Sequence, residues 1–179
     1  MHSLLETALA YHRRGWSLLP VRMEEKKPAC RWKSFQTARA SEGDIVRWFR
    51  RGDQCGVAVI FGEISGGLAS RDFDDREAYE AWARTHTGLA ESLPTVKTRR
   101  GYHVYFQVDA GEVLDLRRQL NKPDNIGAID CGDGELRAGV GCYSLLPPSR
   151  HPSGARYRWM IDMPDLPPMI DLLDSGLAP

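Results

Sequence analysis

The chain has 179 residues, with 24 Lys and Arg against 24 Asp and Glu and a formal net charge of zero; 42% of residues are apolar and 27% charged. This is the make-up of a globular domain long enough to bury a sizeable core. It argues against a disordered chain, and the scattered Cys30, Cys55, Cys131 and Cys142 argue against a disulfide framework or a structural zinc module.

No run approaches the ~18 apolar residues of a membrane span. The first residues form an amphipathic run rather than a secretory signal, so a cytoplasmic protein with no membrane partner is expected. Zero net charge cuts against strong nucleic-acid binding. Basic clusters nevertheless occur at Arg13-Arg14, residues 26–33, residues 47–51 and residues 97–100, and weak, salt-sensitive binding is the expectation.

In chain order, residues 3–14 read as a helix, with Ser3 as N-cap, Glu6 at the capping-box position and Gly15 as the stop. A short strand follows at residues 16–21, then a polar loop at 22–40. Ser41 opens a second helix with Ile45, Trp48 and Phe49 on one face, ended by Gly52. The uninterrupted apolar run 56–61 predicts a buried strand. Residues 62–67 predict a tight turn into the next strand, making a hairpin. Residues 75–85 read as a helix with Asp75 as N-cap, then residues 96–98 and 102–108 as strands. In the second of these, Tyr102, Val104, Phe106 and Val108 alternate with His103, Tyr105 and Gln107. Residues 114–120 suggest a helix, and residues 127–159 short strands between Gly-rich turns. A last short helix is expected at 169–173, within a segment 164–179 that otherwise reads as the start of a linker. Strands and helices mixed without βαβ regularity predict an α+β fold.

The chemistry-bearing residues sit in that frame. Asp72 and Asp74 lie two apart on a strand, so both project from one side, where a divalent ion could relieve their repulsion. A surface turn with two solvated aspartates is the competing reading. His103 follows Arg100-Gly-Tyr on a strand and is either a satisfied core residue or the lining of a polar cleft. Pro147-Pro-Ser149-Arg-His151-Pro-Ser-Gly154 is a rigid turn presenting a hydroxyl and an imidazole. Lys27 is a loop lysine before Pro28, and Arg99 reads as a solvated charge. The five tryptophans read as core, with Trp32 in its polar loop the best candidate for a stacking platform.

Taken in order, Gly15-Trp16…Pro20, Lys27-Pro28…Trp32, Gly62…Ser65-Gly66, Asp72-x-Asp74, Arg100-Gly-x-His103, Glu135-x-Arg137, Pro147-Pro-Ser149-x-His151-x-Ser-Gly154 and Tyr157-Arg-Trp159 resemble the bifunctional primase–polymerase (Prim-Pol) domain of the archaeo-eukaryotic primase superfamily, from about Ala8 to about Trp159. The resemblance implies an RNA-recognition-motif-like catalytic sheet packed with a smaller N-terminal α/β lobe. On that reading residues 1–163 form the catalytic domain and 164–179 a short helix or linker. It implies a DNA-template-dependent nucleotidyltransferase of plasmid, phage or mobile-element replication, using two Mg²⁺ or Mn²⁺ ions on Asp72, Asp74 and Glu135. The family's acid-x-Arg unit lies roughly a dozen residues before Pro-Pro-Ser, which favours Glu135 as the third acid and leaves Asp130 as the alternative.

Arg100, His103, Ser149, His151 and Lys27 become nucleotide-binding residues by the same resemblance, with Lys97 as a further phosphate contact. Implied partners are NTP or dNTP, a single-stranded DNA template and primer, and a C-terminal helical or helicase module in a longer parent protein, with the domain itself a monomer. Two other functions compete. One is a glycosyltransferase using Asp-x-Asp with a sugar nucleotide; the other is a degenerate primase-fold module that binds nucleic acid without catalysis.

Overall fold

The structure, a computed structural model, describes residues 3–51, 55–122 and 126–179. The expected stop at Gly52 lies outside the described residues. Helix α1 spans Leu4–Arg13, and α2 spans Glu42–Phe49. Each starts with a reciprocal capping box, Ser3 with Glu6 and Ser41 with Asp44, which satisfies backbone N–H groups that a helix start leaves without partners. Past α1, Gly15 adopts φ +86°, the left-handed conformation that ends the helix as its sequence position suggests.

Among the described residues, ten strands form two sheets. The first is four-stranded, in the order β2 (Lys27–Pro28), β1 (Ser17–Arg22), β3 (Gly56–Ile60), β9 (Tyr143–Leu145). The second is six-stranded, in the order β10 (Arg158–Ile161), β5 (Thr95–Lys97), β6 (Tyr102–Gln107), β4 (Leu68–Phe73), β8 (Gly134–Arg137), β7 (Ile129–Asp130). Every strand pairing is antiparallel. Helices α3 (Arg76–Thr85), α4 (Thr87–Ser92) and α5 (Ala110–Gln119) complete the elements. Mixed helices with antiparallel sheets agree with the α+β expectation. No helix among the described residues is long and apolar enough to cross a membrane.

Two expectations fail. The strands around residues 62–67 do not make a hairpin: β3 belongs to the first sheet and β4 to the second, joined only by an isolated bridge between Gly62 and Leu68. The cause is local. A 3-10 turn at Glu63–Ser65, with Gly62, Gly66 and Gly67 all at positive φ, redirects the chain from one sheet to the other. Nor does a helix form at residues 169–173. Instead Met169 bridges Gln107, the Ile170 N–H donates to the Gln107 carbonyl at 3.1 Å, and Leu172 and Leu177 are fully buried. Burial of those two leucines, together with Trp82 Nε1 donating to the Ser175 carbonyl at 2.9 Å, holds this segment on the domain in place of helical bonding.

Strand alternation decides where the site lies. On one face of the six-stranded sheet, Ala69, Phe73, Val104, Phe106 and Leu136 join one core cluster with Trp82, Val113 and Leu116 of α3 and α5. The intervening residues, Ser70, Asp72, His103, Tyr105, Glu135 and Arg137, therefore share the opposite face. That face meets the first sheet: Tyr105 Oη donates to the Leu145 carbonyl at 3.3 Å, and Arg137 Nη1 donates to the Tyr143 carbonyl at 3.2 Å. The first sheet packs with α1 and α2 around Leu18, Val59, Ile45 and Phe49 in the other cluster. The polar face of one sheet thus becomes the floor of a cleft against the edge of the other.

Candidate active site

β4 is central in its sheet, and its register pairs Asp72 with His103 on β6 and with Glu135 on β8. Three chemically active residues consequently stand in one row across three strands, at the spacing of direct cross-strand neighbours. Asp72 Oδ1 lies 3.3 Å from His103 Nε2, and Asp72 Oδ2 lies 3.0 Å from Arg137 Nη2. The same Nη2 is 2.9 Å from Glu135 Oε2, so one guanidinium nitrogen bridges the two carboxylates. Arg137 is fixed from its other side, Nη1 donating to Ser144 Oγ at 3.1 Å.

Close packing of backbone holds the row in place. A Cβ on Gly134 would stand 2.0 Å from the Asp72 carbonyl oxygen, and one on Gly101 would stand 1.8 Å from that of Phe73. No other residue lets β8 and the turn before β6 come this near β4. Beneath the sheet, Arg71 is buried, pairs with Asp133 and lies 4.3 Å from the Phe73 ring centroid.

Burial works to raise the Asp72 carboxyl. The facing His103, and then the Arg137 and Arg71 guanidiniums, outweigh burial and hold the group down at about 2. Burial likewise opposes the charge on Arg137, but Asp72 and Glu135 raise its pKa above the ordinary value. Burial drives the Tyr105 phenol well above its usual range, so it stays a neutral donor beside His103, 3.4 Å from Nδ1.

Above the row opens a cleft of about 420 Å³. Of the sequence-predicted residues, Asp72, Asp74, Glu135, Arg100, His103 and His151 line it. Asp74 is exposed just past the end of β4, its N–H donating to the Asp133 carbonyl at 3.0 Å. Glu135 neighbours Asp72 directly, whereas Asp130 sits one strand further out, opposite Glu135, where its Oδ1 accepts from the Gly132 N–H at 2.8 Å. His151 Nδ1 accepts from the Ser153 N–H at 3.1 Å, which leaves Nε2 as the protonated nitrogen of the neutral ring. Its pKa is lowered by burial and by the nearby Lys26 and Arg99.

Two predicted contacts are placed elsewhere. Ser149 is buried outside the cleft lining: its Oγ accepts from the Val57 N–H at 2.9 Å and donates to the Val57 carbonyl at 3.2 Å. The hydroxyl thereby continues the pairing of β3 beyond the end of β9, where the prolines bring no N–H. Lys27 is exposed and pairs with Glu25 at 3.6 Å; its neighbour Lys26 reaches the cleft, its carbonyl held by the Tyr143 hydroxyl at 3.1 Å. Lys97 lies over the Tyr102 ring, 5.9 Å from the centroid.

Sequence reasoning gave no role to four residues that line the cleft: Arg137, Arg99, Lys26 and Tyr157. For Arg137 the signal was available, since it lies two residues after Glu135 on a strand and must share its face. For Lys26 against Lys27 no signal existed, because the turn geometry alone selects which lysine points inward. Among the described residues, no three His, Cys, Asp or Glu side chains are gathered closely enough to hold a metal ion.

Residues 8–169 match the family model for the N-terminal domain of bifunctional DNA primase/polymerase, Prim-Pol. The match covers most of the chain, which therefore belongs to that family. Membership brings, at the level of the family, primase and polymerase activity, a nucleotidyl transfer serving DNA replication. No curated protein matches the chain significantly.

Two consequences are measurable. Ser149→Ala strands the buried Val57 N–H and should cost roughly 1–3 kcal/mol in urea unfolding, while moving nucleotide affinity less than His151→Ala does; the reverse ranking would return Ser149 to the cleft. Asp72, with a folded pKa of about 2 against ~3.9 unfolded, contributes stability on the order of 2 kcal/mol above pH ~4. That contribution disappears as pH falls from ~4 through the folded value. Unfolding free energies across this window should decline more steeply in the wild type than in Asp72→Asn, and parallel profiles would contradict the assignment.

Proposed function

For this member of the Prim-Pol family we propose a DNA-template-dependent nucleotidyltransferase that makes or extends primers from NTPs or dNTPs in plasmid, phage or mobile-element replication. The observation that carries it is the row His103–Asp72–Glu135 on three adjacent strands, at the floor of a cleft whose rim is cationic through Lys26, Arg99 and Arg100. Acids below and cations above are what a triphosphate and its metal ions require. On this reading residues 1–163 are the catalytic domain of archaeo-eukaryotic primase type, with the segment 164–179 packed on it through Leu172 and Leu177. The six-stranded sheet is its RNA-recognition-motif-like platform and the four-stranded sheet with α1 and α2 its smaller lobe. The domain acts as a monomer, within a longer replication protein carrying a helical or helicase module.

Asp72, Asp74 and Glu135 offer carboxylate oxygens, the donor type a hard divalent ion takes, and Asp72 stays ionised through the physiological range. Among the described residues, however, no three such side chains stand close enough together to hold an ion. Drawn together on the phosphates of a nucleotide, these three would hold Mg²⁺ or Mn²⁺, which would supply activation of the attacking 3′-hydroxyl and neutralisation of the departing pyrophosphate. Arg100, Arg99 and Lys26 orient the triphosphate by charge-assisted contacts. The neutral His151 donates through Nε2 to a phosphate oxygen. His103 fixes the Asp72 carboxylate at Oδ1. Arg137 neutralises Asp72 and Glu135 until a cation takes a share of them.

One observation favours a second reading. Both Asp72 oxygens are already engaged, by His103 and Arg137, as they would be in a primase-fold module that binds nucleic acid without catalysis. Primer extension and de novo priming on single-stranded templates, with Mg²⁺ or Mn²⁺, separate the two. Incorporation should occur and should fall about a thousandfold or more in Asp72→Ala/Asp74→Ala, with the circular dichroism spectrum unchanged. Undiminished incorporation in that variant would overturn the site. Nucleotide and DNA binding with no incorporation by the wild type, also when joined to its C-terminal module, would establish the binding-module reading.

A further inference from the structure

A second hollow of about 600 Å³ lies beside the catalytic cleft and shares Thr98, Arg99 and Tyr157 with it. Its charged wall consists of Lys97, Arg99, Arg156 and Arg158, and no acid lines it. In a chain with 24 basic and 24 acidic residues this is a local excess that composition hides. Arg99, Arg156 and Arg158 are exposed. None of the four enters an ion pair among the described residues, although Arg22, Lys27, Arg47, Arg71, Arg76, Arg118 and Arg137 all do.

The backbone register makes the excess a cost. Arg158 on β10 stands directly opposite Lys97 on β5, and Arg156 stands opposite Arg150 in an isolated backbone bridge across the turn at residues 151–155. Like charges facing one another across antiparallel strands destabilise a sheet. Arg156 and Arg158 are alternate residues of an extended segment, so both project from the side away from the buried Tyr157. An acid-free stripe of unpaired cations, held at an edge strand against its own repulsion, is the electrostatic footprint of a polyanion. On the polymerase reading the phosphates of one nucleotide are met by the cations of the cleft, which leaves Arg156 and Arg158 for another polyanion.

We propose that this groove binds the sugar-phosphate backbone of single-stranded DNA and leads the strand along β10 into the catalytic cleft at Arg99 and Tyr157. The assignment rests on the polymerase reading of the cleft and adds to it the path of the strand. Arg156 and Arg158 each neutralise a phosphate, and relief of their repulsion from Arg150 and Lys97 on binding adds to affinity.

The test measures anisotropy of a fluorescent oligo-dT on the full chain across a salt series, beside calorimetric binding of dATP with Mn²⁺. Arg156→Gln/Arg158→Gln should weaken oligo-dT binding about tenfold or more and reduce the slope of log affinity against log salt by about 1.4, or ~0.7 for each lost phosphate contact. Its dATP affinity should stay within about twofold of wild type, the phosphates of dATP being held by cleft residues. A charge-matched control, Arg84→Gln/Arg118→Gln on α3 and α5, should leave both unchanged. Wild-type oligo-dT affinity and slope in the groove variant, or an equal loss in the control, overturn the groove while leaving the cleft reading intact. Absence of dATP binding by the wild-type chain instead overturns the cleft reading, and the strand path with it.

Discussion

Two carboxylates on neighbouring strands repel each other, and the six-stranded sheet keeps Asp72 beside Glu135 because the Arg137 guanidinium lies between them. Its Nη2 reaches both, at 3.0 and 2.9 Å, and its Nη1 is tied to β9 in the other sheet. That one side chain therefore neutralises the acidic floor and fastens the two sheets together at the cleft. Removing one member of such a partly buried group leaves the others uncompensated, which makes the arrangement all-or-none. The near contact of Gly134 and Gly101 with the β4 backbone serves the same end, since a wider strand separation would take Asp72 out of reach of its partners.

The same arrangement bears on the proposed metal site. The positive charge Asp72 and Glu135 need is supplied internally, by Arg137. On the proposed reading, a divalent ion at these carboxylates would bring positive charge from outside and would have to compete with the guanidinium for the same oxygens. On that reading activity would depend on how easily Arg137 yields, and its anchors on Tyr143 and Ser144 would matter to it alongside the acids.

Much of this was legible in the chain. The capped starts of α1, α2 and α3 followed from Ser3, Ser41 and Asp75, because capping is a local interaction among residues three apart. The two faces of β6 followed from its alternation, as did the place of Asp72 on the polar face of β4, whereas Asp74 falls just past the end of that strand. What remained hidden depended on contacts distant in sequence. Whether β3 pairs with β4 is decided by competition with β1 and β9, and glycines at 62–67 suit a hairpin and a crossing between sheets equally well. The Pro-Pro-Ser turn presents its serine inward and its histidine outward, and only the position of Val57 determines which does which. The 169–173 segment has helical spacing, yet burial of Leu172 and Leu177 in an existing core overrides it. Zero net charge concealed the separation of an acidic floor from cationic walls, which is a property of surfaces and not of composition.

The central claim is that the Asp72 row receives the metal ions and the triphosphate. A crystal structure of the chain with Mn²⁺ and a non-hydrolysable deoxynucleoside triphosphate, recorded at a wavelength where manganese scatters anomalously, tests it most directly. The account predicts anomalous density on the Asp72 carboxylate, Arg137 displaced from at least one of its two acids, and the triphosphate against Arg100, Lys26 and His151. Nucleotide bound outside this cleft, or bound within it while Arg137 still bridges Asp72 and Glu135 with no manganese beside them, would contradict it.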